Sequence, residues 1–143
     1  MHCIRKSVLA HYSAEQMYDL VDRVEDYPRF LPWCGGVDVH ERSETLLDAT
    51  LHIHFLGIRS HFRTRDLRGP GRLDMQLVDG PFKRLEGYWH FIPLMEDACK
   101  VEFVLEYEFS SRTLEALIGP VFDKITRSFV DAFINEAERR HGA

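Results

Sequence analysis

The sequence lacks the usual signatures of an enzyme. None of HExxH, GxSxG or a glycine-rich phosphate loop occurs among its 143 residues, so the common zinc-hydrolase, serine-hydrolase and nucleotide-binding motifs are excluded. No apolar run approaches the roughly 20 residues of a membrane-spanning helix, and the opening MHCIRKSVLA has too short an apolar stretch for a secretory leader. There are three cysteines, Cys3, Cys34 and Cys99. An odd count without a CxxC pair reads as reduced thiols, not as a disulfide framework or a zinc site. Cys34, beside Trp33, has no apparent basic partner and reads as a buried thiol. Repeats, low-complexity tracts and linker-like stretches are also missing. With a net charge of −5, the chain is not built wholly around phosphate contacts, although a local basic patch stays open. The expectation is a cytoplasmic protein.

What is present is an ordinary globular mixture of 45% hydrophobic and 29% charged residues, at the length of one domain. A chain of this size can bury enough surface to fold without disulfide or metal.

Residues 3–10 read as a strand. Ser13 and Gln16 have capping-box spacing, and Met17, Leu20, Val21 and Val24 follow on one helical face until Pro28 breaks the pattern. The segment from Tyr27 to Cys34 is unusually aromatic for a connection and predicts a short helical turn or wrap. From about 35 to 109 the period becomes two. The clearest case is Val101, Phe103, Leu105, Tyr107 and Phe109 alternating with mostly acidic neighbours, as expected of a strand with one buried face. Turn residues at Gly57, 68–71, 79–81 and 96–97 divide this region into sequential antiparallel hairpins. Beyond Ser111 the period returns to 3.6, predicting a helix over 112–140, roughly 43 Å long, with a kink or a broken first segment at Gly119-Pro120. The fold class is therefore α+β: a curved antiparallel sheet of about seven strands wrapped on a long C-terminal helix.

Several motifs, in order, carry a family resemblance: Tyr12-Ser13-Ala14-Glu15-Gln16-Met17-Tyr18, Asp26-Tyr27-Pro28-Arg29-Phe30-Leu31-Pro32-Trp33-Cys34, Leu77-Val78-Asp79-Gly80-Pro81-Phe82-Lys83, and Gly87-Tyr88-Trp89-His90-Phe91, with Val121-Phe122 and Ala132-Phe133 in the last helix. The chain resembles the coenzyme-Q-binding, START-like proteins, which include the bacterial RatA ribosome-association toxins and belong to the polyketide cyclase–dehydrase superfamily. The resemblance spans residues 1–143 as one domain. It implies a helix-grip fold with a hydrophobic tunnel, and ubiquinone or a similar prenyl lipid as ligand, with no cofactor required for chemistry.

Register arithmetic then nominates lining residues. A Gly57-Ile58 hairpin loop pairs Leu56 with Arg59 and Ile53 with Phe62, placing Leu51, Ile53, Phe55 and Phe62 on the concave face. A four-residue loop at 68–71 adds Met75 and Leu77. Trp89, Phe91, Phe103 and Tyr107 follow from later strands, with Phe122, Ile125 and Phe129 on the helix; Tyr27, Phe30 and Trp33 would close one mouth. Taken singly, each of these reads first as ordinary core, and only the family resemblance tilts the set towards a tunnel. The same register sets His52, His54, Arg59, His61, Arg63 and Arg65 on the convex face, with His54 opposite His61. That face reads as a solvated surface, a contact for RNA phosphate or an anionic membrane, or a two-histidine metal site. The last is disfavoured by the arginines and the lack of a convergent carboxylate. Glu86 and His90 share the solvent side of their strand.

Three functions are expected in descending order: a non-catalytic carrier or chaperone for ubiquinone or another prenyl lipid supporting respiration; an inhibitor of ribosome association that binds the large subunit; and a polyketide-type cyclase. The partners would be a hydrophobic small molecule, the large ribosomal subunit, and at most a transient membrane surface beside the inner membrane.

Overall fold

A computed structural model describes residues 2–142. β1 (His2–Ala10) leads into α1 (Ala14–Asp22), a single 3-10 turn (Val24–Asp26) and the short α2 (Tyr27–Phe30). Six strands follow: β2 (Cys34–Arg42), β3 (Leu46–Phe55), β4 (Ile58–Gly69), β5 (Arg72–Asp79), β6 (Phe82–Met95) and β7 (Ala98–Phe109), then α3 (Arg112–His141). The strands form one antiparallel sheet in the order β1-β7-β6-β5-β4-β3-β2. Short turns force each of β3 to β7 to pair with its predecessor, while β1 pairs with β7, leaving β1 and β2 as the edges.

α1 starts where the capping box places it. The Ser13 hydroxyl accepts from the Gln16 amide at 3.1 Å, and Gln16 Oε1 accepts from the Ser13 amide at 2.9 Å. Ser111 caps α3 in the same way, accepting from the Leu114 amide at 3.1 Å. α3 runs without a break through Pro120, so the expected broken segment does not occur. Only the Ala116 carbonyl loses its intrahelical donor at this proline, and the buried Ile118, Val121 and Phe122 on either side hold the helix against the sheet.

Two hairpin turns differ from the sequence expectation. The β3–β4 loop is Leu56-Gly57, with φ of 51° and 80°, the signs a twisted two-residue hairpin needs. The pairing is therefore Leu51 with Phe62, His52 with His61, Ile53 with Ser60 and His54 with Arg59. The β4–β5 loop has two residues, Pro70 and Gly71, because Gly69 pairs with Arg72. Both slips are by an even number of residues, so every side chain keeps its expected face.

The sheet's concave face and α3 enclose an aromatic core. Trp89 sits 4.5 Å from Phe103 and 5.4 Å from Phe133 between ring centroids; Phe122 sits 4.9 Å from both Phe82 and Tyr107. At one end, buried Asp22 on α1 accepts from Arg68 Nε and Nη2, both at 2.9 Å, and from Arg42 at 3.2 Å, tying the helix to β4 and β2.

Candidate ligand-binding site

Between the concave face and α3 lies a cavity of about 60 Å³. Of the residues nominated from sequence, Tyr27 and Trp33 line it from the α1–β2 connection, and Phe62, Met75, Trp89 and Phe103 from the sheet. Phe122, Ile125 and Phe129 line it from α3. The remaining nominees lie elsewhere. Ile53 and Tyr107 are core side chains beyond the cavity wall, and Phe91 stacks behind Trp89 at 6.0 Å. Leu77 packs at the core's margin, and Phe30 lies against Phe133 at 5.4 Å. Phe55 lines a separate outer groove of about 310 Å³, between α3 and the Leu31–Trp33 segment.

Trp33 and Ile125 belong to both linings, so they form the wall between groove and cavity. The hydrophobic tunnel implied by the resemblance is narrow in this conformation. A space of 60 Å³ is well below the roughly 150 Å³ that accepts a benzene ring. The reason is volume: Trp33, Trp89, Phe103 and Phe129 crowd together, with Trp33 and Phe129 centroids 5.8 Å apart.

Sequence reasoning missed the polar part of the lining, which is Thr64 and Asp66 on β4 and Thr126 on α3. The signal was available. If Phe62 points inward, the period of two turns Thr64 and Asp66 inward as well. Burial pushes the Asp66 carboxyl up to about 7, helped by the nearby negative charges of Asp22 and Asp48 and opposed by the Thr64 hydroxyl. Tyr27 is also raised, chiefly by burial, and its hydroxyl donates to the Val21 carbonyl.

The convex face carries more acid than the sequence suggested. Asp48 on β3, 2% exposed, accepts from Arg63 at 2.7 and 2.8 Å and from Arg65 at 3.5 Å. These arginine bonds hold its carboxyl below the usual range. His52 meets Asp38 of β2 at 2.7 Å, and His61 meets Asp79 of β5 at 3.5 Å. The expectation that no carboxylate converges there is thus corrected: the registers of β2 and β5, unreadable from β3 and β4 alone, bring in Asp38 and Asp79. His54 faces Arg59 rather than His61, and Arg59 makes no ion pair among the described residues. Among the described residues, no group of three or more His, Cys, Asp or Glu side chains is arranged to hold a metal ion. His90 contacts Glu102 at 3.4 Å on the outer face, where Glu86 pairs with Arg84. Cys34 is buried, its thiol donates to the Gly36 carbonyl at 3.5 Å, and burial raises its pKa.

Residues 10–134 match the family described as polyketide cyclase / dehydrase and lipid transport. The chain belongs to that family. Among its relatives, the ribosome association toxin RatA of Vibrio cholerae (strain O395) is 45% identical, with 99% of each chain covered. The mitochondrial coenzyme Q-binding protein COQ10 homolog B of Xenopus laevis is 30% identical over 96% of this chain and 58% of its own length. A START superfamily protein from Mycobacterium smegmatis superposes with a TM-score of 0.80 at 20% identity, covering 97% of this chain and 99% of that one. The Zhui aromatase/cyclase from a Streptomyces species superposes at 0.84 with 15% identity, covering 97% and 94%. The last two establish a shared START-like fold for this family member. Among the described residues, no helix is long and apolar enough to cross a membrane.

Proposed function

We propose that the protein binds an apolar small molecule, ubiquinone or another prenyl lipid, between the sheet and α3, and serves it as a carrier or chaperone in support of respiration, without chemical turnover. The observation that carries this reading is the aromatic-walled cavity, parted from an outer groove by Trp33 and Ile125. Burying hydrocarbon there gains about 0.8 kcal/mol per methylene, which favours uptake once the rings swing aside. The name of the Xenopus relative supports a quinone head. Only Tyr27 and Asp66 among the lining residues ionise, and Tyr27 is committed to the Val21 carbonyl, which favours binding over acid–base chemistry. The setting would be the cytoplasm, with transient contact at a membrane surface to collect the lipid.

Native mass spectrometry of protein purified without detergent tests this. A co-purifying prenyl lipid is expected, and is expected to be lost from Phe129→Glu with the circular dichroism spectrum preserved. Lipid-free wild type in repeated preparations, with no fluorescence response to added ubiquinone, would overturn it.

A second reading, association with the large ribosomal subunit, is favoured by 45% identity to RatA over nearly the whole chain. The convex face, with Arg59 and Arg65 exposed, is the surface proposed for it, since guanidinium groups match phosphate geometry. In sedimentation with purified large subunits, wild type should pellet and R59A/R65A should pellet less. Equal pelleting removes this surface, and failure of wild type to pellet removes the function.

A further inference from the structure

The cavity is walled mainly by hydrocarbon, yet β4 sends Thr64 and Asp66 into it. Asp66 lies in the middle of the sheet, paired with Leu47 on one side and Met75 on the other. Its Oδ1 is shielded from solvent and has no hydrogen-bond partner, the one such side-chain atom found among the described residues. A buried polar atom left unpaired weakens a fold, and natural cores rarely keep one without a use.

Thr64 on the same strand is the one neighbour that favours the ionised carboxyl, and Oδ1 still has no partner; the other surrounding groups offer no relief. Asp22 of α1 is occupied by Arg42 and Arg68. Asp48 of β3, across the sheet, is occupied by Arg63. Tyr27 of α2 donates to Val21, and Tyr18 of α1, raised mainly by burial, stays neutral. On α3, Thr126 faces the cavity but turns its hydroxyl to the carbonyls of Phe122 and Asp123, at 3.0 and 3.1 Å. β5, β6 and β7 contribute Leu73, Met75, Leu85, Trp89, Phe103 and Leu105, all uncharged. Burial and the charges of Asp22 and Asp48 all favour the neutral acid, and in a half-buried neutral acid whose Oδ1 is cut off from water the hydroxyl is a hydrogen-bond donor available to an acceptor in the cavity.

We propose that Asp66 is the polar anchor of the ligand site: as the neutral acid it donates a hydrogen bond to a carbonyl oxygen on the ligand's head, while the ligand's hydrocarbon lies against Phe122, Ile125 and Phe129. This rests on the apolar-ligand reading above and narrows it to molecules with a neutral, carbonyl-bearing head, such as a quinone. A free fatty acid would have to bring an ionised carboxylate out of water into a mainly apolar cavity, and fits poorly. The anchor is also proton-gated. Once ionised, Asp66 can only accept, and it repels a carbonyl oxygen. With its carboxyl held near 7, the grip weakens as the medium passes from mildly acidic to mildly alkaline.

The protein's two tryptophans, Trp33 and Trp89, both line the cavity and report on its occupancy. Wild type, Asp66→Asn and Asp66→Leu would be titrated at pH 5.5 and 8.5 with two probes, a benzoquinone carrying a ten-carbon chain and an alkylbenzene of matched length without carbonyls. Native mass spectrometry counts the bound molecules. Wild type should hold the quinone about tenfold more tightly at the lower pH, the difference one hydrogen bond makes. Asp66→Asn, an amide donor at both pH values, should bind tightly at both, and Asp66→Leu weakly at both. The alkylbenzene should be indifferent to pH and to either variant. Both substitutions remove an unpaired carboxyl, so neither should impair folding. Equal quinone affinity of wild type at the two pH values, or a wild-type slope retained by either variant, overturns the anchor while alkylbenzene binding leaves the apolar site standing. Binding of neither probe to any of the three proteins brings down both.

Discussion

Asp66 also affects the fold itself. Its carboxyl is raised to about 7 in the folded chain, against about 3.9 in an unfolded one, so the folded state keeps its proton where the unfolded state gives it up. Stability therefore falls as pH rises from about 4 to 7, then levels. Glu136 acts oppositely. Its hydrogen bonds to Arg139 and Arg140 bring its carboxyl down to about 2, so its contribution is complete above its unfolded value and disappears as pH falls towards 2. Between pH 5 and 8 the Asp66 term stands alone of the two. Urea midpoints measured there should fall with pH for wild type and stay flatter for Asp66→Asn, which should be the more stable protein at pH 8 by about 2 kcal/mol. Parallel curves for the two proteins would show that the carboxyl titrates normally. Arg63 matters in another way: truncating it leaves Asp48 without its bidentate partner, so Arg63→Ala should lower the urea midpoint, and should be avoided as a probe of surface binding.

Periodicity made most of the elements readable before any coordinates: the capped α1, the alternating β7 and the striped α3 all appear as expected. Turn register was less legible. The choice between Gly57-Ile58 and Leu56-Gly57 depends on whether a leucine will accept φ of 51°, a strained conformation for a residue with a Cβ, and local sequence prefers the glycine-led alternative. Facing survived because both slips were even. Asp66 was overlooked for a different reason: a charged residue in an alternating strand is ordinarily assigned to water, although the Phe62 phase put it inside. At β6, one glycine sets how closely strands can approach. A Cβ on Gly87 would lie 2.1 Å from the Val104 carbonyl oxygen and 2.9 Å from the Leu105 Cα. Backbone cannot yield as a flexible side chain does, so Gly87→Ala should cost at least about 2 kcal/mol in chemical denaturation. A neutral result would mean that β6 and β7 can part locally.

At the scale of the molecule, the sheet separates two chemistries, an aromatic interior against α3 and a paired charged exterior across β2 to β5. Because no side chain faces both ways, R59A/R65A should leave quinone affinity unchanged, and Asp66→Leu should leave ribosome sedimentation unchanged. Cross-effects in either titration would mean that the sheet transmits strain between its faces. The entrance wall has a kinetic consequence. The Trp33 carbonyl is held by the His54 amide at 2.8 Å, so its backbone is pinned to β3 while its side chain lines both cavity and groove. Opening then needs a ring to rotate, not a strand to detach. On the ligand-binding reading proposed above, entry and exit should therefore be governed by side-chain hopping, on a timescale far shorter than that of unfolding, with the scaffold as rigid when occupied as it is at rest.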